Sequence, residues 1–122
     1  MPQKTPKKLT KKELQKKERK AQKKAFKMAD ENWKRAIRAR DQFTCQVCLK
    51  VLEERRCMTH HIIPRHFKQF RHELWNGIAL CYFCHKVGIR AAHQNAIWFA
   101  LWLKNHKPEQ YFRVVEALEL TG

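Results

Sequence analysis

The sequence predicts an α+β fold that is mostly helical, with flanking helices around a ββα core and a structural metal site. Two CxxC cysteine pairs, two strand-like segments around a polar loop, and helical spacing of apolar residues elsewhere favour this class. A chain of 122 residues is enough for one globular domain. We assign residues 1–29 to a basic N-terminal arm and residues 30–122 to the domain.

The charge of the chain is strongly positive and unevenly distributed. Residues 1–40 carry 16 Lys or Arg against 4 acidic residues, and residues 41–122 carry 11 against 7, which together give the net charge of +16. Charge so predominantly of one sign favours phosphate contacts, so we expect the arm to bind nucleic acid. A solvated tail and a nuclear-import signal are the alternatives. No apolar run approaches the length of a membrane span, so no membrane association is expected.

The first half of the chain is expected to contain two separate helices. Residues 1–8 include two prolines and are expected to be disordered. Residues 9–29 are rich in good helix formers and contain no Gly or Pro, which predicts a basic helix. Asp30 is then predicted to cap a second helix that ends near Arg40 and carries Trp33 as a packing residue.

The second half predicts a hairpin followed by three helices. Residues 56–63 and 77–82 have the composition of two strands. A helix is expected over residues 84–94. Residues 95–106 are apolar on most helical faces and predict a mainly buried helix, whose tryptophans are interpreted as core. Pro108 suits the first turn of a last helix.

The four cysteines of the CxxC pairs predict a structural zinc site, formed by Cys45, Cys48, Cys81 and Cys84. Four thiolates complete a tetrahedral site that suits Zn²⁺ and leaves no position open for chemistry. Disulfides or a redox pair are less favoured, because nothing indicates an oxidising compartment and a redox motif does not need two copies. The fifth cysteine, Cys57, is expected to be a small apolar residue of the first strand.

Three histidines of the ββα unit predict a second metal site. His60 and His61 are adjacent in the first strand, and His85 directly follows the second cysteine pair. The unit can direct His60 and His85 at one point, where two imidazole ligands leave positions open for water and a phosphate oxygen. Because neighbouring strand residues point to opposite faces, His61 is free for another role.

The motifs THHIIP at 59–64 and ELWNGIALCYFCH at 73–85 resemble the HNH endonuclease family. Within that family the chain looks like the small zinc-containing proteins of bacteriophages and bacteria, which have the ββα-metal fold. The resemblance covers roughly residues 33–111. It implies one role for each matching residue: His60 and His85 as ligands of the catalytic cation, His61 as general base, and Asn76 as the residue that holds the loop and orients the base. Asn76-Gly77 could also be only a turn, since Asn-Gly favours positive φ.

The resemblance implies a metal-dependent DNA endonuclease that hydrolyses phosphodiester bonds with Mg²⁺ or Mn²⁺, by nicking or by double-strand cleavage. Residues 30–122 would be the HNH nuclease domain, acting in the cytoplasm of a bacterial or phage-infected cell. Homing, restriction and phage packaging are all compatible roles, and a homodimer or packaging machinery are open as partners. The rival interpretation is a zinc-stabilised DNA-binding module without catalysis.

Basic side chains near the site and in the arm are expected to contact the DNA backbone: Arg65, Lys68 and Arg71 in the loop, Arg90 after the second cysteine pair, and Lys23, Lys24 and Lys27 in the arm. His93 lies eight residues after His85, about 12 Å away along a continuous helix. It is too distant to share an ion with His85 unless the helix breaks near Gly88, so its role is left open.

Overall fold

The computed structural model describes residues 7–121 and has the α+β, mostly helical architecture expected from the sequence. Its regular elements are three helices and two strands: α1 Lys11–Arg40, β1 Met58–His61, β2 Gly77–Leu80, α2 Ala96–His106 and α3 Pro108–Thr121. A single helical turn, Phe83–Val87, follows β2 and completes the ββα unit. None of the helices in the described range is long and apolar enough to cross a membrane.

Helix α1 is one continuous helix of 30 residues, so the prediction of two helices was wrong. It begins with a capping box, in which the Thr10 hydroxyl accepts from the Glu13 N–H and the Glu13 carboxylate accepts from the Thr10 N–H. Asp30 lies within the helix and caps nothing. No Gly or Pro interrupts the sequence between them, so the helix propagates through this position. Residues 1–6, most of the segment expected to be disordered, lie outside the described residues.

The loop after α1 carries the first cysteine pair, as predicted. The helix ends at Arg40, and Gln42 and Phe43 then have φ of 55° and 52°, which a right-handed helix does not allow. The loop closes on itself, because the Leu49 N–H donates to the Cys45 carbonyl over 2.8 Å.

The two strands form an antiparallel hairpin that is shorter than predicted. In its register His60 pairs with Ile78, and His61 pairs with Gly77. Gly77 has an extended backbone with φ −134°, so positive φ is not the reason for glycine here. A Cβ at this position would collide with the side chains of Trp33 and Ile37, because α1 packs directly against β2. Glycine is therefore required by the close approach of α1.

The helix expected over residues 84–94 is wrong beyond its first turn. The turn ends at Val87, and Gly88 is extended with φ −66° and ψ 159°. The chain then folds back through turns, so that the His93 N–H donates to the His85 carbonyl over 3.0 Å. This break is the condition under which His93 comes close to His85.

Helices α2 and α3 pack against each other and complete the core, and Pro108 begins α3 as predicted. Helix α2 is capped by Asn95, whose side chain accepts from the Trp98 N–H. It buries Phe99, Trp102 and Leu103, but its opposite face is open, with Ile97 78% and Leu101 56% exposed. The expectation that α2 is buried on most faces was therefore wrong. Cys57 is fully buried beside α1, as expected of an apolar residue.

Candidate functional site

The four cysteines of the CxxC pairs meet between the loop after α1 and the end of β2. Their sulfur atoms all lie within 4.8 Å of one another, and Cys48 Sγ is 3.8 Å from Cys81 Sγ. A tetrahedral zinc ion with Zn–S bonds of about 2.3 Å has sulfur–sulfur edges of about 3.8 Å. The four thiols are therefore positioned to hold a metal ion of this size.

The surroundings of Cys45 favour the thiolate form that binds metals. Burial works to raise the pKa of its thiol, but hydrogen bonds from the backbone N–H groups of Cys48, Cys81 and Val47 outweigh burial and lower the pKa. Burial raises the pKa of Cys48 and Cys84, whose sulfurs face the other thiols. Thiolates this close together repel one another, which disfavours their ionisation. A bound cation would offset that repulsion and stabilise the thiolates.

A second cluster brings together His60, His85 and His93. His85 Nε2 lies 3.1 Å from His60 Nδ1 and 2.9 Å from His93 Nε2. The sequence placed the first two residues at one point, and the structure brings them there. It adds His93, because the break at Gly88 turns the chain back toward His85.

The arrangement of these three rings suits a divalent cation. Three ring nitrogens face each other, and one proton on His85 Nε2 could satisfy only one of its two contacts. Burial, followed by the neighbouring histidines, lowers the pKa of His60 to about 3 and that of His85 to about 4, and burial also lowers the pKa of His93. The rings are therefore neutral near pH 7, which is the form that binds a metal. The donor set fits a cation.

His61 lies outside this cluster and has a different environment. Its Nε2 is 3.0 Å from the backbone carbonyl oxygen of Arg71, and its ring stacks on Trp33 with 4.0 Å between centroids. A carbonyl oxygen only accepts hydrogen bonds, so Nε2 carries the proton and Nδ1 of the neutral ring is the acceptor. Nδ1 is not buried and has no hydrogen-bond partner among residues 7–121. Burial lowers the pKa of His61.

Asn76 is fully buried and holds the loop that joins β1 to β2. Its Oδ1 accepts from the Ile63 N–H, and its Nδ2 donates to the carbonyls of Ile63 and Phe70. Within the described structure these bonds go to the loop, while the bond that fixes His61 comes from Arg71.

Asp30 connects α1 to the same loop. Its carboxylate accepts two hydrogen bonds of 2.8 Å from the Arg71 guanidinium and lies 2.7 Å from His72 Nε2. The hydrogen bond from Arg71 holds the pKa of Asp30 down at about 2, against the opposing effect of burial. At neutral pH Asp30 is thus ionised and links α1 to the loop through Arg71 and His72.

The basic residues predicted to contact DNA differ in how free they are. The Arg71 guanidinium is engaged by Asp30 and by the Arg65 carbonyl. Arg90 is exposed and lies over the Trp98 ring, 5.7 Å from its centroid. The remaining predicted contacts are all exposed to solvent: Arg65, Lys68, Lys23, Lys24 and Lys27. Their contacts with DNA stay predictions.

Three residues near the site were missed or given another role by sequence reasoning. Trp33 was interpreted as packing, Asp30 as a helix cap, and the role of His93 was left open. Gly88 was the available signal for His93, since glycine often ends a helix. The contacts of Trp33 and Asp30 join residues about 30 to 40 positions apart and leave no local signature.

Comparison with protein-family models gives a match over part of the chain. Residues 45–87, from the first cysteine pair to just beyond His85, match the family model described as HNH endonuclease. No curated protein and no solved structure matches the chain.

Proposed function

We propose that the chain, which carries an HNH endonuclease domain at residues 45–87, hydrolyses phosphodiester bonds of DNA with the help of one divalent cation, Mg²⁺ or Mn²⁺. One observation carries the proposal: His60 of a three-histidine cluster is followed directly in β1 by a fourth histidine, His61, whose Nε2 is held by a carbonyl oxygen and whose Nδ1 has no hydrogen-bond partner among residues 7–121. A protein that only bound DNA through a zinc-stabilised fold would need neither the three-histidine cluster nor the unpaired Nδ1 of His61.

The cluster of His60, His85 and His93 would hold the catalytic cation. Three neutral imidazoles are good ligands for a divalent cation and leave coordination positions for oxygen atoms of the substrate. A cation bound there supplies positive charge for the phosphate oxygens and for the leaving 3′ oxygen.

His61 would be the general base. A water molecule in front of Nδ1 transfers a proton to this nitrogen as its oxygen bonds to phosphorus, and the bond from phosphorus to the 3′ oxygen breaks. The 3′ oxygen takes up a proton from solvent water and His61 later releases its proton to solvent, which leaves 5′-phosphate and 3′-hydroxyl ends. General-base help of this kind is typically worth about 10²–10⁴ in rate. The Arg71 carbonyl keeps Nε2 protonated and so leaves Nδ1 as the basic atom.

The four-cysteine site would hold Zn²⁺ in a purely structural role. It joins the loop after α1 to the end of β2, and the turn bearing His85 starts at the same cysteine pair. A zinc ion there would fix the distance between the β1 histidines and His85. All four ligands come from the protein, so nothing is left to bind substrate.

The charge distribution supports nucleic acid as the substrate. Residues 11–27 of α1 are exposed on every face, and this part of the helix is dominated by lysine. Such a surface binds phosphates through counterion release, independently of base sequence. The exposed side chains of Arg65 and Lys68 extend the positive surface to the loop beside His61.

Plasmid cleavage by His61→Gln tests the proposal. We expect wild-type protein to cut supercoiled plasmid with Mg²⁺ or Mn²⁺ and to stop when EDTA is added. His61→Gln should cut DNA about 10²- to 10⁴-fold more slowly while still binding it. His106→Gln is the matched control, because His106 is an exposed histidine at the end of α2 that stacks on Trp102. Its rate should equal that of wild type.

The same assay tests the rival DNA-binding module. Full cutting by His61→Gln would remove His61 from the base role. Wild-type protein that binds plasmid and leaves it intact with either cation would replace the nuclease proposal by the non-catalytic module.

A further inference from the structure

We propose that Asp30 and Trp33 of α1 are positioning residues that hold the catalytic base His61 in its active tautomer and orientation. The proposal rests on the proposed function of His61. Both residues lie in the helix that carries the basic arm, outside residues 45–87 that match the family model. This part of α1 would therefore contribute to catalysis.

The position of the Arg71 carbonyl oxygen controls the tautomer of His61. This oxygen is the hydrogen-bond partner of His61 Nε2, at 3.0 Å, so its position decides which ring nitrogen is protonated. It belongs to the irregular loop between the strands, whose residues 64–69 are exposed. A loop of this kind needs fixed points if one of its carbonyls is to stay in place.

Asp30 supplies one such point. The two bonds from the Arg71 guanidinium to the two carboxylate oxygens form a bidentate pair, and His72 Nε2 approaches one of the same oxygens. Bidentate pairs constrain direction as well as distance. The side chains of two consecutive loop residues are therefore tied to one residue of a regular helix, and the carbonyl between them is held with them.

Trp33 supplies a second point, one helical turn further along α1. Its ring stacks on His61 with an interplanar angle of 8°, and its Nε1 donates to the Glu73 carbonyl over 2.9 Å. Trp33 is 3% exposed, so this contact lies in a packed environment. The imidazole is thus limited by an aromatic face on one side and by the Arg71 carbonyl at Nε2.

Asn76 alone does not account for this order. Its bonds fix Ile63 and Phe70, on the N-terminal side of Arg71. The contacts that hold the Arg71 side chain, the His72 side chain and the Glu73 carbonyl are made by residues of α1. The base is therefore oriented jointly by the loop asparagine and by the helix.

The comparison of Asp30→Asn with Glu31→Gln tests the proposal. Both remove one negative charge at adjacent positions of α1, but Glu31 is exposed, and within residues 7–121 its salt bridge is with Lys34 of the same helix. We expect Asp30→Asn to lower kcat for plasmid cleavage by about 10- to 100-fold, with KM changed by less than about two-fold, because a small misplacement of a catalytic group is costly. Glu31→Gln should retain both constants.

The tautomer of His61 provides a measurement that does not require activity. Long-range ¹H–¹⁵N spectra of the full chain, assigned with His61→Gln, should show Nε2 protonated and Nδ1 unprotonated in wild type and in Glu31→Gln. Asp30→Asn should show a mixture of the two tautomers. Wild-type tautomer and wild-type kcat in a folded Asp30→Asn protein would overturn the proposal.

Two substitutions of Trp33 provide a second route if Asp30→Asn folds poorly. Trp33→Phe keeps an aromatic face for His61, whereas Trp33→Leu keeps only apolar volume. The proposal expects kcat to be rescued by Phe relative to Leu, at matched fractions of folded protein; equal kcat values would contradict it. A wild-type protein that cuts no DNA would refute the proposed function, while the tautomer spectra would still decide the positioning.

Discussion

At the scale of single residues, His93 is the ligand that the structure adds to the candidate cation site of His60 and His85. It lies 2.9 Å from His85, and its ring is the most exposed of the three. An exposed ligand on a turn can be substituted without opening the core, which makes it a good residue for separating metal affinity from folding.

We predict that His93→Ala binds Mn²⁺ about 10-fold more weakly, or worse, because one of three imidazole ligands is lost. Calorimetric titration of zinc-loaded protein with Mn²⁺ measures this. His66→Ala is the matched control: His66 is an exposed loop histidine whose aromatic neighbour is Phe67. Equal affinities for wild type and His93→Ala would remove His93 from the ligand set.

Single residues also show how far sequence reasoning reaches. His60 and His85 could be placed at one point because they lie in short motifs with fixed spacing from the cysteines and strands. The stacking of Trp33 on His61 could not be predicted, since it depends on where α1 packs across the hairpin. Local spacing predicts a ligand pair, whereas tertiary packing decides which side chains surround His61.

At the scale of secondary structure elements, the packing of α1 on β2 is the contact that joins the arm to the hairpin. It is possible only because Gly77 has no side chain where Trp33 and Ile37 approach. The other internal glycine, Gly88, would place a Cβ against the ring of Phe83, which is 64% exposed and free to move. Substitution of Gly88 is therefore a suitable control for substitution of Gly77.

We predict that Gly77→Ala lowers the free energy of unfolding by about 1–3 kcal/mol, because an added methyl group overpacks a buried contact. Gly88→Ala should change it by less than about 1 kcal/mol, since its φ of −66° suits alanine and the neighbouring ring can shift. Urea denaturation of both variants measures the difference. Similar losses for both would contradict the packing argument.

The elements were predicted where a local rule decided them. Pro108 at the start of α3 and the strand pair followed from composition, and both are present. The break expected at Asp30 is absent because a capping residue does not stop a helix that good helix formers continue. The helix expected over residues 84–94 was wrong because Gly88 and the return of the chain to His85 prevailed over its helical composition.

At the scale of the whole molecule, the charge of the arm and two residues that contact the site, Asp30 and Trp33, belong to one helix. The exposed lysines of the arm and the buried Trp33 lie on the same uninterrupted helix. Electrostatic binding by the arm should therefore add affinity without contributing to the chemical step.

We predict that the triple variant Lys23→Gln, Lys24→Gln and Lys27→Gln binds DNA more weakly, and that its binding constant depends less steeply on salt concentration. Each phosphate that the variant no longer neutralises should lower the slope of log K against log salt by about 0.9, so the three together by up to about 3. Fluorescence anisotropy at several salt concentrations measures it. The corresponding triple Lys→Arg variant keeps the charge and should behave as wild type; an unchanged slope in the Gln variant would exclude these lysines from the interface.

The unbroken backbone of α1 also turns the arm into a ruler. From Lys11 to Asp30 the helix rises about 28 Å at 1.5 Å per residue, the length of roughly eight base pairs at 3.4 Å each. A flexible tether would let the proposed nuclease cut at variable distances from the phosphates that the arm binds. A stiff helix that passes beside His61 at Asp30 and Trp33 would instead impose one offset, so the spacing of the cut would be a property of helix length.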